Sequence, residues 1–499
     1  MKNSKNSPIK NTELNMASGG LSKSKIIAGL QCPKRLWLQV HRPDLLHESA
    51  QTQQSYGVGN ELGKLAQSLY PAGKLIEDIY NPTKAVDATN LLLGESPTFP
   101  IFEAAFKHDD VLIRADIIFN ENAGLRLVEV KSATSVKDYH LKDCAIQSWV
   151  VENAGYQVTQ VELAHVNSSF VYKGDNNYQG LIQYENITEQ IKPLKQQVTD
   201  WVTYFKNILV SEMPTTKIGK QCHTPFDCPF NDYCNPNPAE YPITLLSYNQ
   251  KFIQELNNEG ITDVRDVPKE KLTTEKQHRI HQATTSGKAI IDKTLIQELV
   301  RLDYPRYYLD FETIGYVVPI WKGTSPYQPL PYQWSCHVET GDSVELEHFE
   351  YLDVSGNPPM RGFAESLIKD MGVFGPILVY SSYEHGVIKQ LIKLYPDLTE
   401  PLSKIIDRLE DLLPLMQKHY YHRDMKGSWS IKAVLPTIST EPDYKQLDEI
   451  QNGMLAQSAY LEIIHSDTTL ERREDLTRKM LEYCKLDTLA MVKLVQFFK

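Results

Sequence analysis

The chain has no apolar run approaching the ~20 residues that a membrane-spanning helix requires, so no transmembrane segment is expected. The opening stretch MKNSKNSPIKNTELN lacks the apolar core of a secretory leader, and a cytoplasmic location is expected. Cysteine is scarce, with seven in 499 residues. In a reducing compartment, an odd and small number argues against a disulfide framework and leaves metal ligation as the reading for any cluster. An excess of positive charge is also missing. With 52 Lys and Arg against 63 Asp and Glu, the net charge of −11 argues against wholesale binding of a polyanion. A local basic groove remains compatible with it, because carboxylates collected for metals make a chain acidic overall. No internal repeat or low-complexity tract stands out.

What remains is ordinary composition, 41% hydrophobic, in a chain long for one core, so two or three mixed α/β domains are expected. Residues 1–18 are polar and expected to be a disordered, solvated tail. LSKSKIIAGLQCPKRLWLQVHRP predicts a short helix carrying Cys32 and ended by Arg42-Pro43. SYGVGNELGKLAQSLY predicts a helix after a glycine-rich start. VLIRADIIF, NENAG and LRLVEVKS read as two strands around a turn, and DYHLKDCAIQSWVVENAG as a helix closed by Gly155. NPNPAEYP marks a linker, residues 241–302 a helical connector with a helix–loop–helix pattern around Gly260, and PRYYLDFETIGY the start of a second strand-rich domain over 303–499.

The first chemical signature is Asp116, followed thirteen residues later by Glu129 and then Lys131. Glu129 and Lys131 are two apart on one strand and share a face, within reach of Asp116 on the neighbouring strand. Phosphodiester hydrolysis needs an activated water and a charge sink, which a divalent metal on hard oxygens supplies. Asp116 and Glu129 are the candidate ligands for Mg²⁺ or Mn²⁺, with Glu103 as a further one. Lys131 is the candidate to orient water or neutralise the phosphate. Cys32 precedes this core, and Cys222, Cys228 and Cys234 follow it in QCHTPFDCPFNDYC. Four thiols suit either an iron–sulfur cluster or a zinc, with zinc disfavoured by the lack of closely paired cysteines and His223 as a substitute ligand. Cys144, Cys336 and Cys484 stand apart and read as small buried side chains.

A second acidic set begins at YYLDFET, where Asp310 and Glu312 share one strand face and Phe311 turns away. Two acids alternating on an apolar strand are costly unless a cation sits between them. Tyr483 and Asp487 are four apart on the last helix and adjacent on one face. Glu384 lies between these groups, as does Asp411 in RLEDLLPL, and both are candidates for a further acid.

The first region, residues 19–240, resembles RecB-type nucleases of the PD-(D/E)xK superfamily, with their restriction-endonuclease-like fold, in the branch that carries four cysteines. The resemblance implies Asp116, Glu129 and Lys131 as catalytic, Gln147 on the following helix as part of the active site, and a 4Fe–4S cluster on the four cysteines. The chain departs from that family in two places: no His falls within Gly57–Gln67, and Cys222 and Cys228 stand six apart. The last region resembles DEDD-type 3′–5′ exonucleases of the RNase H-like fold. That implies Asp310, Glu312 and Asp487 as metal ligands, Tyr483 as the residue orienting water, and Glu384, or else Asp411, as the middle acid. GSWSIKAVLP resembles a Ser-x-Lys stretch of that family, structural or substrate-facing. The tandem is similar to a bacterial family in which a RecB-like domain precedes a domain of unassigned function. The expectation is a metal-dependent nuclease with two sites, acting on DNA more than RNA; the alternatives are an RNA-processing exonuclease, or a nucleic-acid-binding scaffold with one or both sites inactive.

Overall fold

In the computed structural model the chain divides into two compact units. One runs to Pro236 and takes in Val317–Pro319; the other comprises Asn237–Tyr316 and Ile320–Lys499. The structure describes residues 20–77, 81–95, 98–247, 249–341 and 344–499, so the tail expected over 1–18 lies outside the described residues. Both units are mixed α/β, as expected. No helix among the described residues is long and apolar enough to cross a membrane.

The first unit opens with β1 (Leu21–Ser22), α1 (Lys23–Gln31), α2 (Pro33–His41), α3 (Ala50–Ser68), β2 (Lys74–Leu75) and α4 (Pro82–Gly94). Its centre is β3 (Ile101–His108), β4 (Val111–Glu121), β5 (Gly124–Lys131), α5 (Asp138–Asn153) and β6 (Val158–Val166). It closes with β7 (Ile182–Asn186), α6 (Thr188–Lys195), α7 (Val198–Val210) and α8 (Asn231–Cys234). The sheet order is β2-β3-β4-β5-β6-β7, with β1 added beside β4. The predicted hairpin is β4–β5, antiparallel, and its turn needs Gly124: φ is +136° and a side chain there would meet the Gln157 carbonyl oxygen at 2.7 Å. One face of the sheet packs Ile113, Ala115 and Ile118 against Ala145, Ile146 and Trp149 of α5. The other carries Val128 and Val130, clustered with Leu62 and Ala66 of α3.

Two local expectations change. Cys32 does not lie inside one helix but joins two, at φ −162° and ψ 118°, because Pro33 forces the residue before it out of the helical region. The glycines expected to precede α3 lie within it; the helix starts at Ala50, where the Ser49 side chain accepts the Thr52 N–H.

The second unit begins with α9 (Gln250–Asn258), α10 (Glu275–Ser286), β8 (Ile290–Ile291) and α11 (Thr294–Val300). Then come β9 (Arg306–Ile314), β10 (Leu330–Glu339), β11 (Glu347–Leu352), α12 (Met360–Asp370), β12 (Ile377–Val379) and α13 (Tyr383–Leu394). It continues through α14 (Thr399–Ile406), β13 (Leu409–Asp411), α15 (Leu412–His419), β14 (Tyr420–Tyr421) and α16 (Ile431–Val434), and ends with α17 (Gly453–Ile464) and α18 (Leu470–Phe498). The main sheet runs β11-β10-β9-β12-β13, with β10 antiparallel to both neighbours and β12 and β13 parallel to β9. The segment read as a connector is part of this unit. Tyr241, Ile253, Leu256 and Ile280 share a core with Tyr308 of β9, Leu378 of β12 and Val495 of α18.

Candidate active sites

In the first unit, strand register brings the acids together. Phe102 pairs with Ile117 and Ala104 with Ala115, which sets Glu103 opposite Asp116. The β4–β5 ladder stops at Ile117–Val128, one step short of Asp116 and Glu129. There the Asp116 carboxylate accepts the Val130 N–H at 2.7 Å in place of a strand partner. Glu103 holds a left-handed backbone, φ +54°, a costly conformation outside glycine, and accepts from Arg114 at 3.2 Å.

Glu129 is 4% exposed and sits among donors. Its Oε1 accepts from Lys131 Nζ at 2.6 Å and Lys23 Nζ at 2.8 Å, and its Oε2 from Gln147 Nε2 at 2.7 Å. Asp143 completes the set, 2.8 Å from Lys131 and 3.2 Å from Lys23. Burial alone would raise Glu129, but the ammoniums of Lys131 and Lys23 outweigh it and hold the carboxyl below its usual range. Asp116, with no ammonium bonded to it, is pushed well up by burial and by the Glu129 charge. Lys131 is raised because Asp143 and Glu129 overcome its burial. His140 is lowered to about 4 by burial and by Lys131, which keeps it neutral. Asp116, Glu129 and Lys131 therefore converge as the spacing predicted, with Gln147, which the family resemblance implied, bonded to Glu129. Asp143 and Lys23 are additions. Asp143 stands four before Gln147 on the inward face of α5 and was open to discovery from that spacing; Lys23 carried no such signal.

Cys32, Cys222, Cys228 and Cys234 line one small cavity, together with Lys34, Arg35 and Lys217. Burial raises the Cys228 and Cys234 thiols, and Arg35 and Lys34 respectively offset that only in part. A tetrahedral zinc with bonds of about 2.3 Å would hold its sulfurs under about 4 Å apart. Among the described residues, the four thiols are not a group whose ligand atoms all lie within 4.8 Å of one another. His223 does not line this cavity; its Nδ1 lies 2.7 Å from Asp227. Cys144, Cys336 and Cys484 are buried, as expected.

In the second unit, β9 presents Asp310 and Glu312 toward α18, while Phe311 packs on Phe363 of α12, ring centroids 4.9 Å apart. Ligand oxygens of Asp310, Glu312 and Asp487 all lie within 4.8 Å of one another. They open on a cavity of about 540 Å³ that Glu384, Tyr483 and Lys432 also line. Burial, then the Asp487 charge, raises Glu312 to about 8 and pushes Asp310 well up. Burial also raises Asp487, against Lys432, Tyr444 and Tyr483, and Tyr444 OH donates to it at 2.6 Å. Glu384 is 4% exposed and raised by burial to about 7, and its Oε2 has no hydrogen-bond partner. Asp411 does not line the cavity; it caps α15 by accepting the Leu413 N–H. Lys432, in the stretch read as structural or substrate-facing, donates to Tyr483 OH at 2.5 Å and lies 4.0 Å from Asp487. It provides a nearby positive charge for three crowded acids.

A family model described as a domain of unknown function (DUF2779) matches residues 307–430. The match takes in Asp310, Glu312 and Glu384, and stops short of Lys432, Tyr483 and Asp487. No curated protein matches the chain.

Proposed function

We propose that this protein is a metal-dependent nuclease with two hydrolytic sites, acting on DNA. The observation that carries the reading is the second acidic site. Three carboxylates whose oxygens lie within 4.8 Å of one another are costly in a buried setting without a cation, and all three are held above their usual range. Glu384, buried and lining the same cavity with an unpartnered Oε2, would be a further ligand. Mg²⁺ or Mn²⁺ on these oxygens would supply a Lewis acid and an activated water. Asp310, Glu312, Asp487 and Glu384 would hold it. The Tyr483 hydroxyl accepts from Lys432 and is bonded to Asp487, and it would orient a water once a metal takes Asp487.

In the first unit, Asp116 and Glu129 would hold the metal, and Gln147 keeps Glu129 in one rotamer from the α5 side. Lys131, now paired with Glu129, would neutralise a phosphate once a substrate competes for it. The four cysteines would hold an iron–sulfur cluster that ties the α1–α2 junction to the end of the unit.

The test is degradation of 5′- and 3′-labelled single-stranded DNA and RNA with Mn²⁺, by anaerobically purified protein and by Lys131→Ala and Asp310→Ala variants. Each variant is expected to lose the cleavage of its own site by about 10²-fold or more, as for loss of a charge stabiliser or a metal ligand. Folded protein that cleaves neither polymer with any divalent metal rejects the reading. Preference for RNA would move it to RNA processing.

A further inference from the structure

The first acidic site holds a second lysine that the D…E-x-K spacing does not contain. Lys23 is the first residue of α1, and its Nζ lies 2.8 Å from Glu129 Oε1 and 3.2 Å from Asp143 Oδ1. Lys131 makes the same two attachments, at 2.6 and 2.8 Å. Two ammoniums thus share two carboxylates, and one of them arrives from a separate element.

The far end of α1 belongs to the cysteine cavity. Cys32 caps the helix, its N–H bonded to Ala28 O. One residue earlier, Gln31 Nε2 donates to the carbonyls of Gln221 at 2.6 Å and Phe226 at 2.7 Å, on the loop that carries Cys222 and Cys228. The helix between these ends is firmly seated. β1 pairs Leu21 with Val111 and Ser22 with Leu112, and Ser22 caps α1 by accepting the Lys25 N–H. Gly29 lies so close to the Phe205 ring that a Cβ there would be 2.7 Å from it. A nine-residue helix spans about 13 Å, so movement at one end is carried to the other. One cavity of about 830 Å³ is lined both by Lys23, Lys131 and Asp143 and by Cys222 and Cys228.

We propose that Lys23 is a positioning residue of the first site, and that α1 couples it to the four-cysteine cavity, so that order in the cysteine loop decides how firmly Lys23 holds Glu129 and Asp143. The proposal rests on the nuclease reading of that site. A lysine that holds or leaves Glu129 changes the charge that an incoming divalent ion meets, and the cysteine loop thereby regulates metal loading some distance away.

The test is a thermodynamic cycle on Mn²⁺ affinity, read from the paramagnetic resonance signal of free Mn²⁺. It uses the full chain carrying Asp310→Asn and Asp487→Asn to silence the second site. Lys23→Gln is expected to tighten Mn²⁺ about three- to tenfold, since a cation competing for Glu129 is gone, and Lys23→Arg to stay within about twofold. Gln31→Ala, which leaves all four thiols in place, is expected to tighten it in the same direction. In the double variant Gln31→Ala adds nothing, because the coupling runs through the Lys23 side chain. Unchanged affinity in Lys23→Gln, or fully additive effects of the two substitutions, overturns the proposal. Glu129→Gln separates the two claims. If it leaves Mn²⁺ binding unchanged, the nuclease reading of this site fails; if it weakens binding while Lys23→Gln does nothing, only the coupling fails.

Discussion

Replacing Glu312 by Gln should stabilise the metal-free protein at alkaline pH and leave it unchanged in acid. Glu312 is 8% exposed, and its carboxyl is raised from an ordinary 4.5 to about 8 by burial and the Asp487 charge. The folded state therefore keeps a proton that the unfolded chain has released. Between those two values the folded protein binds more protons, so its stability falls as pH rises from about 4.5 toward 8. At about 1.4 kcal/mol per pH unit over that interval, ionising Glu312 in place costs up to about 5 kcal/mol. Gln keeps the shape and carries no charge, so the variant avoids that loss. For a unit of this size, 1 kcal/mol moves a melting midpoint by roughly 2–4 °C, so the variant should melt up to roughly 10–20 °C above the parent at pH 8.5 in EDTA. At pH 4 the two should nearly coincide. Excess Mn²⁺ should reverse the order at pH 8.5, because only the parent offers the full ligand set. Parallel pH profiles, or a variant less stable than the parent in EDTA at pH 8.5, would show that no carboxylate repulsion is stored in this site.

Two further outcomes are expected. Gly375 has φ +87°, and a Cβ there would be driven into the Pro305 carbonyl oxygen, so Gly375→Ala should lower stability by about 2–4 kcal/mol in urea denaturation; a loss under ~0.5 kcal/mol would contradict the close approach. Anaerobically purified protein should show the visible absorbance of thiolate-bound iron, lost in Cys228→Ser; a colourless protein that takes up one zinc and no iron would replace the cluster by a single ion.

The parts of the sites that lie on regular elements at short spacing were legible in the sequence. Glu129 and Lys131 are two apart on β5, Asp310 and Glu312 two apart on β9, and Tyr483 and Asp487 four apart on α18, each on one face as strand and helix periods require. The turn at Gly124 placed Asp116 beside Glu129 before any tertiary information. What escaped was brought in by packing across long sequence separations. Lys23 reaches Glu129 from 106 residues away and Tyr444 reaches Asp487 from 43, and no local pattern records those approaches. Choosing Glu384 over Asp411 likewise needed coordinates, since both are acids at the start of a helix. Asp411 caps α15 away from the cavity, whereas Glu384 lines it.

The packing of residues 237–302 under the second sheet bears on how the protein can be taken apart. A fragment begun at residue 303 would uncover Tyr308, Leu378, Leu412 and Val495, which the earlier segment shields. At roughly 1.5–3 kcal/mol for each large apolar side chain returned to water, that loss rivals the whole stability of an average domain. A fragment meant to carry the second unit should therefore begin at Asn237, and a loss seen in any shorter fragment would report a dismantled core.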